Sequence, residues 1–345
     1  MRLKTLVAAA LLAAGAATGA AAQQVNETRA TGATGTVEVH TVAGRVRVVG
    51  WARNQVQVTG TLGSSAERVE IENDAGSLVV RVVTPGSQVH VRARDGKVRS
   101  EARAYASSGR GADIEVRVPA RKDVEINGVS ADAEVQGIDG TTEVHTQSGG
   151  IRVSGGRARD ISVNTRSGEV DITADADRVE AVSLSGGVRV AGSVRERVEA
   201  NSVSGTVNVT AAAGEVEAAS VSGTVTVASM RGRAEVHSVS GEVRVTGRGL
   251  SGEFQTVSGS ITLVGDLARG GDLELTTHSG SVTLALSPGA SAEVQVSTFS
   301  GDISSDYRGA RVSRESRREA KILVGSGDAR VAVHSFSGDV KLTGR

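Results

Sequence analysis

Residues 216–245 read VEAASVSGTVTVASMRGRAEVHSVSGEVRV and contain the pattern that decides the fold. Valine and alanine alternate with polar residues on both sides of a Ser-Gly pair, and the Ser-Gly pair returns after 18 residues. Alternation with a period of two is typical of a strand with one buried face, so each unit predicts two short strands joined at the glycine. A repeat of about 20 residues is typical of a solenoid.

The Ser-Gly pair recurs in one frame over most of the chain. Its glycines are Gly149, Gly168, Gly186, Gly205, Gly223, Gly241, Gly259, Gly280, Gly301 and Gly338. We predict that each of these glycines forms a turn with a left-handed or otherwise strained backbone angle, which glycine adopts without steric cost. The substitution Gly223→Val is therefore expected to destabilise the protein more than Val221→Ala.

The units align when the first inward residue is called position i. Aliphatic residues then fall at i, i+2, i+9 and i+11, the Ser-Gly pair falls at i+6 and i+7, and position i+4 is nearly always Ser or Thr. The frame extends to Val37, Val39, Val46 and Val48 near the start and to the unit that begins at Val331.

These columns favour an all-β fold, a right-handed parallel β-helix or solenoid with about 18–21 residues per coil, in which the hydroxyls at i+4 form a ladder. In the alternative, an antiparallel meander, Ser-Gly is a hairpin loop.

Position i+5 is a candidate contact stripe. It holds Val203, Val221, Val239 and Val257 in the most regular part of the repeat. If positions i, i+2, i+4 and i+6 all point inward, these valines face solvent as an apolar stripe about four coils long, the kind of feature that marks a contact surface. In the alternative, a bend after i+2 turns them into the core.

Composition and spacing divide the chain into five parts. Residues 1–22 carry Arg2 and Lys4, an apolar run and a small-residue end, which predicts a signal peptide and an exported protein. Residues 23–123 are irregular β turns with a cap, residues 124–306 are regular repeats, residues 307–321 are a basic insertion expected as a projecting loop or short helix, and residues 322–345 are the final coil. No further stretch of spanning length predicts a transmembrane segment in the mature chain.

The composition excludes several classes of function. Lys+Arg and Asp+Glu number 39 each, so the chain as a whole has no field that would attract nucleic acid, and the absence of cysteine excludes disulfides. One Trp, two Tyr and three Phe are few for an enzyme with a sugar-binding groove. The string Gly247-x-Gly249-x-x-Gly252 matches a dinucleotide-binding fingerprint, but another repeat strand follows it where the fingerprint needs a helix.

The histidines do not predict a metal site. His40, His145, His237 and His334 all fall at position i+3, but most are separated by several coils, whereas metal ligands must lie close together. We therefore predict no catalytic residue, no metal and no cofactor.

Three features together carry a resemblance to a known family. The export signal, the phrase Val116-Arg117-Val118-Pro119 followed by Val124-Glu125-Ile126, and repeats such as Ser220-Val221-Ser222-Gly223-Thr224-Val225 resemble the bacterial putative-adhesin family of exported β-strand-repeat proteins. The resemblance covers most of residues 30–345. It implies a β-helical exported protein with no known catalytic residues, because that family is a domain of unknown function.

The sequence thus predicts a non-catalytic interaction scaffold that is periplasmic, on the cell surface or secreted. Its expected partner is a protein or polysaccharide of the cell envelope, and neither nucleic acid nor a membrane is expected as a partner. A carbohydrate-active β-helix enzyme, a polysaccharide lyase or hydrolase, is the alternative function. A structural component of the envelope is the third.

Overall fold

The computed structural model describes residues 23–74, 77–85, 88–94, 97–103 and 110–344, so the predicted signal peptide lies outside the described residues. The described residues form strands and no helix. The strands are β1 (Gln23–Ala30), β2 (Thr36–Trp51), β3 (Gln55–Leu62), β4 (Arg68–Asp74), β5 (Ser77–Val83), β6 (Gln88–Arg94), β7 (Lys97–Arg103), β8 (Ala112–Pro119), β9 (Asp123–Gln136), β10 (Thr142–Ser148), β11 (Ile151–Ser167), β12 (Val170–Ser183), β13 (Val188–Ser202), β14 (Val207–Ala212), β15 (Glu215–Ser220), β16 (Val225–Ser238), β17 (Val243–Ser258), β18 (Ile261–Leu267), β19 (Asp272–Ser279), β20 (Val282–Leu286), β21 (Ala292–Ser300), β22 (Ile303–Ser305), β23 (Arg311–Arg314), β24 (Glu319–Val324), β25 (Ala329–Ser337) and β26 (Val340–Gly344).

From β9 to β20 the strands form parallel ladders between successive units of the sequence. Val144 of β10 pairs with Ile126 of β9 on one side and with Val163 of β11 on the other. Further along, Ala218 pairs with Val236, and Phe254 pairs with Leu275. Equivalent residues of consecutive units therefore lie beside each other. The prediction of an all-β solenoid with parallel strands is confirmed, and an antiparallel meander does not occur in this stretch.

The interior is a narrow core of β-branched and aliphatic side chains. Val198, Val216, Val225 and Val243 are fully buried, and Phe254 is one of the largest buried side chains. Valine suits this position because its branched side chain packs well on a pleated strand and loses little conformational freedom there. The alternating burial pattern of β12 and β14 follows the alternation of the sequence.

The C-terminal coil is inserted between two earlier coils. Strand β25 pairs in parallel with both β19 and β21, and β26 pairs in parallel with both β20 and β22. The unit that begins near residue 329 therefore lies between the coil of β19–β20 and the coil of β21–β22. The frame predicted from Val331 and Val333 holds, but this coil is not the outermost one.

The basic insertion forms a cap of two antiparallel strands. Strand β24 pairs antiparallel with β21, and β23 pairs antiparallel with β24. The expectation of a projecting loop or short helix at residues 307–321 is wrong, because Ala320, Ile322 and Val324 are buried in alternation with less buried residues, so that one face of β24 packs against the end of the core. Residues 322–324 belong to this cap, although the sequence had placed them in the final coil.

The N-terminal end has the same plan. Strand β2 pairs in parallel with β9, with Val37 beside Val124 and Val46 beside Ala133. These residues hold the same positions of the repeat frame, but their direct contact was not predicted, because the sequence places further irregular coils between them. On its other side β2 pairs in parallel with β5 and β8. Strands β3 and β1 then continue beyond β8 in antiparallel pairs, and β4 pairs antiparallel with β5. At each end, therefore, antiparallel strands cover an edge that a parallel solenoid would leave open.

Candidate contact surface

The exposed column is a row of side chains at position i+5 that crosses eight coils. Val203, Val221, Val239 and Val257 have exposed fractions of 40%, 43%, 45% and 49%. Leu184 extends the row at one end, and His278, Phe336 and Phe299 extend it at the other, with exposed fractions of 47% for Leu184, 48% for Phe336 and 55% for Phe299. We call these eight residues the exposed column. The bend that would bury the valines does not occur.

The backbone turns a corner at this column. Ser204, Ser222 and Ser240, which follow the valines at i+6, are also exposed, so two consecutive side chains face solvent. The ladder continues through the corner, because Val221 N donates to Ser202 O at 3.3 Å and Ser222 N donates to Val203 O at 2.9 Å. Position i+6 does not point inward, so the condition from which the exposure of the valines was inferred does not hold, because the strict alternation ends where the strand ends.

The repeated glycines stack on one another just after the corner. A Cβ on Gly223 would lie 2.0 Å from the carbonyl oxygen of Gly205, and a Cβ on Gly186 would lie 1.9 Å from that of Gly168. Only four of the ten predicted turn glycines have a positive φ, namely Gly149, Gly280, Gly301 and Gly338. The predicted residues do lie at the turns, but the predicted reason is wrong at the other six glycines. There the backbone of the preceding coil leaves no room for a side chain.

Buried hydroxyls at position i+4 tie five of the corners to the preceding coil. The Ser202 hydroxyl donates to the Gly186 carbonyl at 2.9 Å, and the Ser220 hydroxyl donates to the Gly205 carbonyl at 3.0 Å. A direct bond between two hydroxyls occurs at Thr146 and Thr165, at 3.0 Å. The predicted hydroxyl ladder is therefore wrong as a general description, because most of these hydroxyls bind the carbonyl of a stacked glycine instead.

The exposed column ends in a stack of aromatic rings. The centroids of His278 and Phe336 are 4.7 Å apart, and those of Phe336 and Phe299 are 4.9 Å apart with an interplanar angle of 5°. The guanidinium of Arg318 lies 4.8 Å from the centroid of the Phe299 ring. The Phe336 ring is therefore covered on its two faces by His278 and Phe299, and Arg318 covers the outer face of Phe299. The stack presents ring edges to solvent.

A shallow groove runs beside the exposed column. Its floor consists of the buried hydroxyls at i+4, and its second wall consists of side chains at i+3 such as Asn201, Ala219 and Gln255. The volume of the groove is about 510 Å³. Further from the column, glutamates at position i+1 follow one another from coil to coil, and they are Glu180, Glu199, Glu217, Glu235, Glu253 and Glu274. Arg197 and Arg233, just outside this row, form ion pairs with Glu217 and Glu235, whereas no described lysine or arginine forms an ion pair with the other four glutamates. The surface therefore has an apolar edge and a second edge with an excess of acidic side chains.

A buried group of titratable side chains lies at the other end of the molecule. His40 is 2% exposed, and its Nε2 lies 3.5 Å from Glu38 Oε2. Burial, with a contribution from the charge of Arg81, lowers the pKa of His40 to about 4. On the neighbouring strand β9, burial raises the pKa of Glu125. These groups lie on outward positions of β2 and β9, which are exposed or half-buried further along the solenoid.

In the described part of the chain, the histidines, the carboxylates and the glycine fingerprint do not form the metal or nucleotide site that such residues could indicate. Among the described residues, no three His, Cys, Asp or Glu side chains come close enough to hold one metal ion. Gly247, Gly249 and Gly252 all lie within β17, and no helix follows them. In the part of the chain that the structure describes, no helix has the length and apolar character to cross a membrane.

Sequence reasoning found the centre of the exposed column but missed its ends. Leu184, His278, Phe299 and Phe336 occupy the same position, immediately before a Ser-Gly pair, so the frame itself contained the signal. The predicted stripe contained only the four identical valines of the most regular repeats. Only the insertion of β25 between β19 and β21 brings Phe336 between His278 and Phe299.

Fold and surface together define a β-solenoid with capped ends and a long column of exposed side chains at one corner. The chain belongs to the Toastrack DUF4097 family, whose model matches residues 63–266 and 228–343. The resemblance seen in the sequence is therefore confirmed.

Two solved structures are similar to this chain. One is a putative adhesin from Bacteroides fragilis, with 11% identity, a TM-score of 0.35, and coverage of 93% of this chain and 97% of that chain. The other is a putative cell adhesion protein from Clostridium sporogenes, with 10% identity, a TM-score of 0.20, and coverage of 94% and 100%. A comparison with curated proteins finds no match.

Proposed function

We propose that this protein is an exported, non-catalytic scaffold of the adhesin type, which contacts another component of the cell envelope through the exposed column. The observation that carries this proposal is the continuity of the column, in which the valines, Leu184 and the two phenylalanines are each 40–55% exposed. Apolar area in water contributes roughly 25 cal/mol per Å² when a partner covers it. A row of such residues at one corner therefore favours association more than scattered exposed valines do.

The rest of the fold supports a scaffold of constant shape. The stacked glycines and the hydroxyls that bind their carbonyls fix the corner, so each coil presents its i+5 side chain in the same way. Ladder partners 18 to 21 residues apart support the expected coil length, and the right-handed coil remains part of the proposal. The signal peptide predicted at residues 1–22 supports a location outside the cytoplasm.

Retention of purified protein on envelope fragments of the source bacterium tests the contact. The double variant Val221→Lys, Val239→Lys places two charges in the column and is expected to reduce retention at least about tenfold, because each lysine must be desolvated on binding. The matched control Thr210→Lys, Ala212→Lys adds the same charge at exposed positions of β14 on another side of the coil. Equal retention of all three proteins would overturn the role of the column.

A separate assay tests the non-catalytic part of the proposal. Purified protein is incubated with uronate-containing and neutral polysaccharides, and the products are measured by reducing ends and by absorbance of unsaturated uronates. We expect no turnover. Cleavage of either class would favour the alternative, a carbohydrate-active β-helix enzyme.

A further inference from the structure

The spacing of the exposed column limits the kind of partner that fits it over its full length. Adjacent strands of a sheet lie about 4.8 Å apart, which sets the step from one column residue to the next. An α-helix presents one side chain per turn every 5.4 Å, and an extended strand presents same-side residues every ~6.7 Å. Over the seven steps of the column, a helix loses register by about 4 Å and a strand by about 13 Å. A second column with the same step stays in register throughout.

The aromatic end of the column argues against a sugar as the partner. Carbohydrate rings pack on the faces of aromatic side chains, but in this stack the Phe336 faces are covered by His278 and Phe299. The outer face of Phe299 is covered by Arg318. The exposed ring edges and the valine methyl groups are suited to other apolar side chains, which can pack between them.

We infer that the partner of the exposed column is a second copy of this chain, packed column against column. This inference rests on the proposed function, because it uses the same surface and names its occupant. The eight side chains offer on the order of 500 Å² per copy, the size of the largest patches on soluble monomers and somewhat less than the ~800 Å² per partner of a standard interface. The exposed serines at i+6 and the groove wall at i+3 supply the remaining area.

The glutamates at i+1 determine how the two copies are oriented. They lie four residues from the column along each strand, at a distance of about 13 Å. If the two solenoid axes ran antiparallel, a two-fold axis across the columns would place the glutamate row of one copy opposite the same row of the other, and the like charges would repel. With parallel axes, the glutamate rows lie on opposite sides of the paired columns. The two copies therefore pair side by side with their aromatic ends together.

Analytical ultracentrifugation of the full chain over a wide concentration range tests the pairing. We expect a monomer–dimer equilibrium for the natural sequence and for the control Thr210→Lys, Ala212→Lys. For Val221→Lys, Val239→Lys we expect the dissociation constant to rise at least about 100-fold. A dimer that survives the two lysines in the column overturns the inference.

Disulfide trapping tests the orientation, because the sequence contains no cysteine. Ser204→Cys and Ser337→Cys each introduce one thiol beside the column, near opposite ends of it. With parallel axes, each variant crosslinks to itself under mild oxidation, and an equimolar mixture gives no mixed dimer beyond background. Mixed dimers without self-crosslinking would overturn the parallel arrangement.

The experiment separates this inference from the proposed function. If the natural protein is monomeric at every concentration, the inference is overturned. If that monomer still loses retention on envelope fragments when Val221 and Val239 become lysine, the column remains a contact surface for a different molecule. If retention is unaffected by the lysines as well, both proposals fail.

Discussion

In the middle of the solenoid, from β9 to β20, each coil lies on the coil that precedes it in the sequence, whereas at both ends the outermost coil comes from further inside the chain. Strand β2 is held between β9 and the pair β5 and β8. The coil of β25 and β26 is held between the coils of β19–β20 and β21–β22.

This difference shows how a repeat protein protects its ends. A coil with neighbours on two sides buries both of its edges, while a coil at the end of a stack buries only one. By placing the first and last parallel coils of the sequence, β2 and β25–β26, inside the stack, the fold gives each of them two neighbours. Antiparallel strands then cover the outermost coils. Strand pairing in the middle joins units that are adjacent in the sequence, whereas strand pairing at the ends joins residues far apart in the sequence.

The largest effect is expected from breaking the inserted coil. Val333 is fully buried in β25 between β19 and β21, so Val333→Asp places a charge among apolar side chains and should cost at least about 4 kcal/mol of local stability. Hydrogen exchange should accelerate in β21, β22 and β24, while β10 to β13 stay protected. Ala332→Asp, on the outward side of the same strand, is the control. Loss of protection along the whole molecule would show that ends and middle are one cooperative unit.

The next effect concerns the glycine stack of the middle. Gly223→Ala forces a Cβ to within 2.0 Å of the Gly205 carbonyl oxygen and is expected to lower the free energy of unfolding by about 3 kcal/mol, with Gly223→Val worse. Gly137→Ala is the matched control, because Gly137 has a φ of 68° but no atom within 4 Å of its Cβ position, and should cost about 1 kcal/mol. Val221→Ala, at an exposed position, should cost less than either. Chemical denaturation measures the free energy of unfolding of all four variants. Equal losses would show that close approach between coils is not the reason why glycine is required at position 223.

Acid is expected to weaken the N-terminal end selectively. The pKa of His40 is about 4 in the folded protein and about 6.5 in an unfolded chain, so the unfolded state takes up the proton first as the pH falls. Stability is therefore lost between pH 6.5 and pH 4, by about 3 kcal/mol at the lower limit. His40→Gln should remove this dependence. His145→Gln should not, since the His145 side chain occupies the same column of the repeat but is 41% exposed. The measurement is hydrogen exchange of β2 at several pH values.

The smallest effect tests the hydroxyls of the middle. The buried Ser220 hydroxyl donates to the Gly205 carbonyl, so Ser220→Ala should cost about 1 kcal/mol. Ser238 is equally buried, but its hydroxyl has no hydrogen-bond partner, so Ser238→Ala should be close to neutral. Thermal unfolding of the two variants compares them directly. A larger loss at Ser238 would mean that the hydroxyls act through something other than the glycine carbonyls.

The sequence predicted the fold of the middle well because the information there is local. Alternating valines predict strands, and the Ser-Gly repeat of 18 to 21 residues aligns Val144 with Val163 without any knowledge of the structure. The frame also gave Val37 and Val124 the same position of the repeat, but their direct pairing across the irregular segment was not predicted. It failed at residues 307–321, because a basic composition suggested a loop while the alternation in Glu319–Val324 was too short to stand out.

The candidate site was half predictable for the same reason. The position of Val203, Val221, Val239 and Val257 followed from the period, but their exposure did not, since it depends on where the strand turns. The sequence suggested the backbone angle φ, which can be inferred from one residue, as the reason for the repeated glycines. The actual reason at Gly223 is its close contact with Gly205 of the neighbouring coil, which the sequence does not reveal.

The amino-acid sequence by itself determined the strands, the repeat length, the inward faces and the glycine and hydroxyl columns, because each follows from residue types at fixed local spacing. Only the tertiary structure decided the order of the coils at the two ends, since parallel pairing of β25 with β19 and β21 depends on which edges remain open after the rest has folded. That order places Phe336 between His278 and Phe299 and makes the exposed column continuous. It also buries His40 while the equivalent His145 stays exposed, because burial depends on the neighbours that the completed stack supplies.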